Sequence, residues 1–170
     1  MMPAIRLLAI LSILALGAAL GWRWYQDRPA PPEPLPSLTL AAVDGRASFD
    51  PAVIEGPYLI NVWGSWCPYC QIEHPVLMAL QAEGIAIYGI AWRDTALAVN
   101  ASLDRHGDPY AGVMLDVDGL SARALGVTGT PETLVVGADG QILARWFGPI
   151  TANVLRNRIY PALERGALQD

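Results

Sequence analysis

The sequence predicts a three-layer α/β sandwich with a mixed central sheet, carried behind an apolar N-terminal segment. Three observations predict it. The run Tyr58-Leu59-Ile60-Asn61-Val62-Trp63 is apolar on both faces, as a strand covered by helices on each side must be. It passes through Gly64-Ser65 into a helix whose first residue is Pro68, so strand and helix are directly joined. A second strand and helix follow, then a hairpin and a closing helix, an order that requires parallel and antiparallel pairing in one sheet.

Residues 1–28 read as a membrane signal. Arg6 precedes Leu7 to Trp22, sixteen residues whose only polar member is Ser12, and counting from Pro3 gives 20, the length a bilayer core needs. Trp22, Trp24 and Tyr25 suit the outer interface, with Arg6 held inside. A cleaved signal peptide is the rival, since Gly17-Ala18-Ala19 offers small residues to a peptidase. The apolar run continues through that point and ends in aromatics, which favours an uncleaved anchor. Either way the domain is exported to an oxidising compartment. Residues 29–36, Pro-Ala-Pro-Pro-Glu-Pro-Leu-Pro, predict an extended polyproline spacer, and the globular domain is expected over 37–170.

Within that domain, Leu38 to Ala41 and Ala47 to Phe49 flank Asp44-Gly45 and predict a hairpin. The strand at Tyr58 to Trp63 follows, and the helix from Cys67 runs to Glu83 and stops at Gly84, bent at Pro75. Ile85 to Trp92 is a second apolar strand. Asp94 is placed to cap a helix whose face carries Ala96, Val99 and Leu103 and which ends at Gly107. Gly112 to Leu115 predicts a strand and Gly119 to Leu125 a short helix. Thr133 to Val136 and Gln141 to Trp146 make a hairpin across Gly137-Ala138-Asp139-Gly140. A last helix from Thr151 shows Leu155, Ile159 and Leu163 on one face, broken before Pro161.

Formal charge is −5; without residues 1–28, which hold three Arg and one Asp, 8 basic and 15 acidic residues leave −7. Such a surface argues against nucleic acid, whose phosphates demand a basic face. Cys67 sits at the positive end of its helix, where exposed N–H groups stabilise a thiolate, and Cys70 lies on the same helical face. A purely structural disulfide would close nearly the shortest loop possible and so stabilise little. Zinc would consume Cys67, Cys70, His74 and His106, every Cys and His in the chain. The pair therefore reads as a redox-active disulfide, with no metal and no separate cofactor.

Trp66-Cys67-Pro68-Tyr69-Cys70 followed by Pro75, with Thr130-Pro131 before a strand, resembles the thioredoxin fold over roughly residues 37–163. The finer pattern is similar to the DsbE/CcmG branch, membrane-anchored reductases of cytochrome c maturation. It rests on Leu59-Ile60-Asn61-Val62-Trp63, Glu73-His74-Pro75, His106-Gly107-Asp108-Pro109-Tyr110, Gly126 to Thr133 and Gly148-Pro149-Ile150-Thr151. Trp92-Arg93-Asp94 stands where the branch commonly has Tyr-Lys-Asp, and Thr128 where it commonly has an aromatic. The resemblance implies a domain in the periplasm, on the inner membrane through its N-terminal helix. Its client would be the CxxCH disulfide, or a mixed disulfide, of an apocytochrome c, and its donor a DsbD- or CcdA-like transmembrane protein. Cys67 is then the exposed nucleophile and Cys70 the resolving cysteine. A cis bond before Pro131 leaves Thr130 to meet an extended substrate, and Trp66 and Tyr69 form the surface around the pair.

Glu132, next to Pro131, reads either as a solvated strand-start residue or as an acid that tunes the thiols. The motif favours tuning. Asn61 reads as a hydrogen-bonded core amide, His74 as a partly buried structural residue and His106 as a helix C-terminal one. The alternatives are a general reductase of the TlpA/ResA kind, a copper carrier using Cys67 and Cys70, and a passive peptide-binding adaptor.

Overall fold

The structure is a computed structural model that describes the backbone of residues 2–26 and 31–168 and the side chains of 10–22 and 31–168. The expected interfacial and flanking residues Arg6, Trp24 and Tyr25 have side chains outside that set, and positions 27–30 lie outside it entirely. Two units separate at Ala30. The first is a helix, α1 (Met2–Gln26), whose Ile10, Leu11, Ile13, Leu14, Leu16 and Leu20 are exposed. Among the described residues no helix is long and apolar enough to cross a membrane.

The second unit is the thioredoxin-like sandwich. Its strands are β1 (Glu33–Pro34), β2 (Ala41–Ala42), β3 (Tyr58–Trp63), β4 (Ile87–Trp92), β5 (Gly112–Asp116), β6 (Glu132–Val136) and β7 (Gln141–Phe147). They form one sheet in the order β1-β7-β6-β3-β4-β5-β2. β3, β4 and β5 are parallel, and β6, β7 and both edge strands join antiparallel. The parallel part needs crossovers. They are α2 (Pro68–Ala82) between β3 and β4, and α3 (Ala96–His106) between β4 and β5. α4 (Leu120–Ala124) leads back to β6, and the chain closes through α5 (Ala152–Val154), a π-helical turn Leu155–Ile159 and α6 (Tyr160–Ala167).

Two apolar layers sandwich the sheet. Leu59, Trp63 and Val135 pack with Leu77 and Leu80 of α2, Val99 and Leu103 of α3, and Ile159. Tyr58, Ile60, Val62, Leu134 and Val136 face the other way, against Ala122, Leu125 and Val127. Every residue of β3 is buried, which is why its sequence shows no alternation.

Three local expectations are corrected. The turn at Asp44-Gly45 forms, with Gly45 at φ 79°, but no hairpin flanks it. β2 instead pairs with β5, and Ala47 gives its carbonyl to the Val113 N–H. Arg46 explains the detour: it bonds Asn100, Asp104 and Asp108 of the α3 region, drawing the chain after the turn across the sheet edge. Part of the expected spacer, Glu33–Pro34, is an edge strand on β7, continued by the Leu35 N–H to Gly140. Proline is tolerated there because an edge strand can spare a donor. The closing helix does not break before Pro161. The wide π turn immediately before it accommodates a residue with no N–H.

Candidate active site

The carboxyl end of β3 delivers Gly64-Ser65-Trp66 to the start of α2, and the structure fixes that turn tightly. Asp94 accepts the Ser65 N–H at 2.6 Å and the Ser65 hydroxyl at 3.1 Å, while Gln71 donates to the Ser65 carbonyl at 3.3 Å. Asp94 was expected to cap α3. That cap is Thr95, whose hydroxyl accepts from Ala98, and the buried Asp94 carboxylate buttresses the redox turn instead.

Cys67 is the N-cap of α2, and its sulfur accepts the Cys70 N–H at 3.2 Å. Pro68 at the first helical position takes away no bond the helix would have used. The two cysteines are joined as a disulfide with Cα atoms 5.3 Å apart. The Thr130–Pro131 peptide is cis, and the Thr130 carbonyl lies 3.6 Å from the Cys67 sulfur, within reach of a thiol once the pair is reduced. Trp66, Tyr69 and Ile72 are exposed around the pair. The sulfurs themselves are covered: Cys67 is 2% exposed and Cys70 5%, so exposure does not single out Cys67 as expected. What distinguishes it is the helix N-terminus, whose N–H groups and dipole favour negative charge on its sulfur.

Beneath the disulfide runs a buried polar network. Asn61 donates to Glu73 Oε1 at 2.8 Å and to Thr133 at 3.0 Å, and accepts from the Tyr110 hydroxyl at 2.8 Å. The Ile150 N–H reaches Glu73 Oε2 at 3.2 Å. Asn61 is thus the hydrogen-bonded core amide the sequence suggests. Burial pushes the Glu73 carboxyl up to about 7, against the lowering effect of its bonds from Asn61 and Ile150. Glu73 follows Cys70 by three residues and precedes Leu77 by four, so all three lie on the buried face of α2.

The structure corrects the placing of Glu132. Its neighbour Thr133 points to Asn61 and the cysteine layer, so alternation turns Glu132 to the opposite face with Leu134. There it is buried and ion-paired to Arg145 at 2.7 Å. It is neither a solvated residue nor placed to act on the thiols, because its charge is matched across the sheet from them. The acid the site does contain is Glu73, buried in the polar network beneath the disulfide. The spacing Cys70, Glu73, Leu77, Leu80 was the available signal: a carboxylate on an otherwise apolar stripe.

His74 bonds the Gly107 carbonyl through Nε2 at 3.0 Å, and burial lowers its pKa. Its ring is 6.2 Å from that of His106, and both line a pocket of about 400 Å³ with Gly64, Cys70, Met78 and Ser102. Among the described residues no three His, Cys, Asp or Glu are grouped to hold a metal ion.

On the far side of the turn, Gly119 makes room for the Trp92 and Arg93 side chains. A Cβ there would lie 2.7 Å from Trp92 Nε1 and 2.8 Å from Arg93 Nε, and its φ is 76°. Gly119→Ala is expected to cost about 1–2 kcal/mol in denaturant unfolding, more than the few tenths of an ordinary surface exchange. An unchanged midpoint would show that the loop simply shifts.

Residues 30–157 match the redoxin family model. The chain is 39% identical over 141 residues to the thiol:disulfide interchange protein DsbE of Allochromatium vinosum, covering 82% of this chain and 76% of that protein. It is 31% identical to the thiol:disulfide interchange protein HelX of Rhodobacter capsulatus, covering 92% and 95%. Among solved structures, the thio-disulfide isomerase of Thermus thermophilus superimposes with a TM-score of 0.65 at 29% identity, covering 81% of this chain and 96% of that one. With a disulfide at a helix N-terminus, a cis proline facing it and this kinship, the chain belongs to the redoxin family, among the DsbE-type thiol:disulfide interchange proteins, and is a thiol–disulfide oxidoreductase.

Proposed function

We propose that this protein is a membrane-anchored periplasmic reductase that opens the CxxCH disulfide, or a mixed disulfide, of apocytochrome c before haem attachment. The observation that carries the reading is the likeness to DsbE and HelX across most of both chains, joined to a cysteine pair built for exchange. In the reduced protein the Cys67 thiolate attacks one client sulfur, and the other client sulfur leaves as a thiolate and takes a proton. Cys70 then attacks the Cys67 sulfur, releasing the second client thiol and leaving the disulfide of the oxidised chain. Two electrons and two protons pass to the client. Return to the dithiol would come from a DsbD- or CcdA-like transmembrane donor. Thr130, with its carbonyl at Cys67, would pair with the client backbone, and Pro131, Trp66 and Tyr69 would shape the groove around it. Residues 1–28 would serve as the anchor. The exposed apolar side chains Ile10, Leu11, Ile13, Leu14, Leu16 and Leu20 of α1 favour that role.

A strain lacking this protein should lose c-type cytochromes and regain them when a membrane-permeant dithiol is added to the medium. The full chain should restore them better than an exported domain without residues 1–28. Normal cytochrome levels in the deletion strain would overturn the reading in favour of a general reductase.

A further inference from the structure

Trp66 stands next to Cys67, half exposed, with its ring 6.2 Å from that of Trp92. The Arg93 guanidinium lies over the Trp92 ring at 5.0 Å, the geometry of a cation–aromatic pair. Arg93 takes φ 50°, the only positive φ outside glycine among the described residues. Such a backbone is held at a cost and points to a function for the side chain it aims. Both flanks hold it: the Arg93 N–H donates to Asp116 O at 2.9 Å, and the next residue, Asp94, is tied to Ser65 and Thr95.

Arg93 is exposed, and no ion pair among the described residues includes it. Three carboxylates lie near in the chain and sheet, and none is ion-paired to Arg93; Asp118, beside Gly119, accepts the Leu120 N–H at 3.0 Å. Asp94 accepts from Ser65 and Thr95, and Asp116 from the Ser121 and Ala122 N–H groups. Residues 29–170 carry −7, so Arg93 offers a cation without an ion-pair partner among the described residues beside the redox turn of an acidic domain.

We propose that Trp66, Trp92 and Arg93 form a ledge beside the cysteine pair that selects partners bearing an acidic side chain next to their reactive disulfide. The aromatic face fixes the guanidinium in place, so a partner carboxylate meets donors already ordered. Exposed charge pairs contribute modestly and act on encounter more than on the chemical step, which is the signature of selection. The inference depends only on thiol–disulfide exchange and holds whichever protein is the client.

The test uses the reduced full chain in detergent and two synthetic peptides with the same CxxC disulfide, one flanked by Glu and one by Lys. At low salt the Glu peptide should be reduced about fivefold faster, and high salt should remove the difference. Arg93→Lys should keep the preference, Arg93→Ala should level it and Arg93→Glu should invert it, with the thiolate titration of Cys67 unchanged throughout. Arg165→Ala removes the same charge from α6, whose Gly166 packs on Pro57 and Gly137 at the other end of β3 and β6, and should leave the preference intact. Equal rates for the two peptides with the natural chain would overturn the proposal. So would a preference that survives Arg93→Ala, or one lost equally in Arg165→Ala. A shifted Cys67 titration with both peptides slowed alike would assign Arg93 to tuning the thiol instead.

Discussion

Cys70→Ser should accumulate mixed disulfides between this chain and its clients, whereas Cys67→Ser should accumulate none and lose exchange activity by on the order of a thousandfold or more. The asymmetry comes from the helix, since the two sulfurs are almost equally covered. Cys67 is the N-cap, and its sulfur already accepts the Cys70 N–H at 3.2 Å, so a thiolate there would be solvated by the helix end. Cys70 sits one turn inside, on the face that carries Glu73 and Leu77, where negative charge is disfavoured. The sulfur that ionises first attacks first, and the other waits until a mixed disulfide brings it a partner. Client lysates probed under non-reducing conditions, followed by peptide mass spectrometry, read this directly. A client joined to Cys70 in the natural chain, or trapped by Cys67→Ser, would reverse the assignment.

Much of the fold was legible because its strongest signals are local. An apolar run interrupted only by Asn61, with turn residues behind it, reads as a doubly covered strand, and Pro68 fixed where the next helix began. Thr133 to Val136 and the strand after Gly137 to Gly140 were plain for the same reason. The misread stretches depend on partners far away in sequence. The Asp44-Gly45 turn is correct chemistry for a hairpin, yet Arg46 finds three partners near α3, and Ala41–Ala42 finds the open edge of β5. No local rule contains that competition. The Pro-rich stretch has the composition of a free spacer, and its pairing with β7 depends on that strand offering an open edge.

The site shows the same division. The cysteine pair, Trp66, Tyr69 and the Thr130–Pro131 contact follow from a motif and fall together around one disulfide. Glu132 was assigned to the thiols by its neighbour Pro131, but in a strand adjacent residues face opposite ways, and one position decides which layer a charge enters. Asp94 looked like a helix cap because it is one residue from the true cap, while its carboxylate holds Ser65, 29 residues earlier. A cap and a buttress differ only in three dimensions.

Glu73→Gln should change both the pH dependence of stability and the redox balance, and the two effects separate cleanly. In the oxidised protein no thiol titrates, so stability against pH reports the carboxyl. Glu73 moves from an ordinary 4.5 to about 7 on folding because burial disfavours its charge. Its contribution is therefore complete below pH 4.5 and is lost as pH rises to about 7, worth on the order of 3 kcal/mol across that window. His74 works the other way: its folded pKa is lowered, so charging it on acidification destabilises the fold. That contribution is common to both proteins and cancels in their difference. The natural chain should therefore lose stability relative to Glu73→Gln as pH climbs from 4.5 to 7, and the difference should stay flat above. In the reduced protein, an ionised Glu73 one turn from Cys70 opposes thiolate formation, raising the thiol pKa and making the pair more reducing. Removing the charge should lower the thiolate pKa and shift the potential upward by on the order of 30 mV for each unit of coupling. Carboxyl and thiols titrate as a set, so the shift belongs to the site as a whole. Equilibration with glutathione and thiolate absorbance over pH measure it. A parallel pair of stability curves would place the Glu73 proton elsewhere, and a more reducing Gln variant would show that its charge does not reach the cysteines.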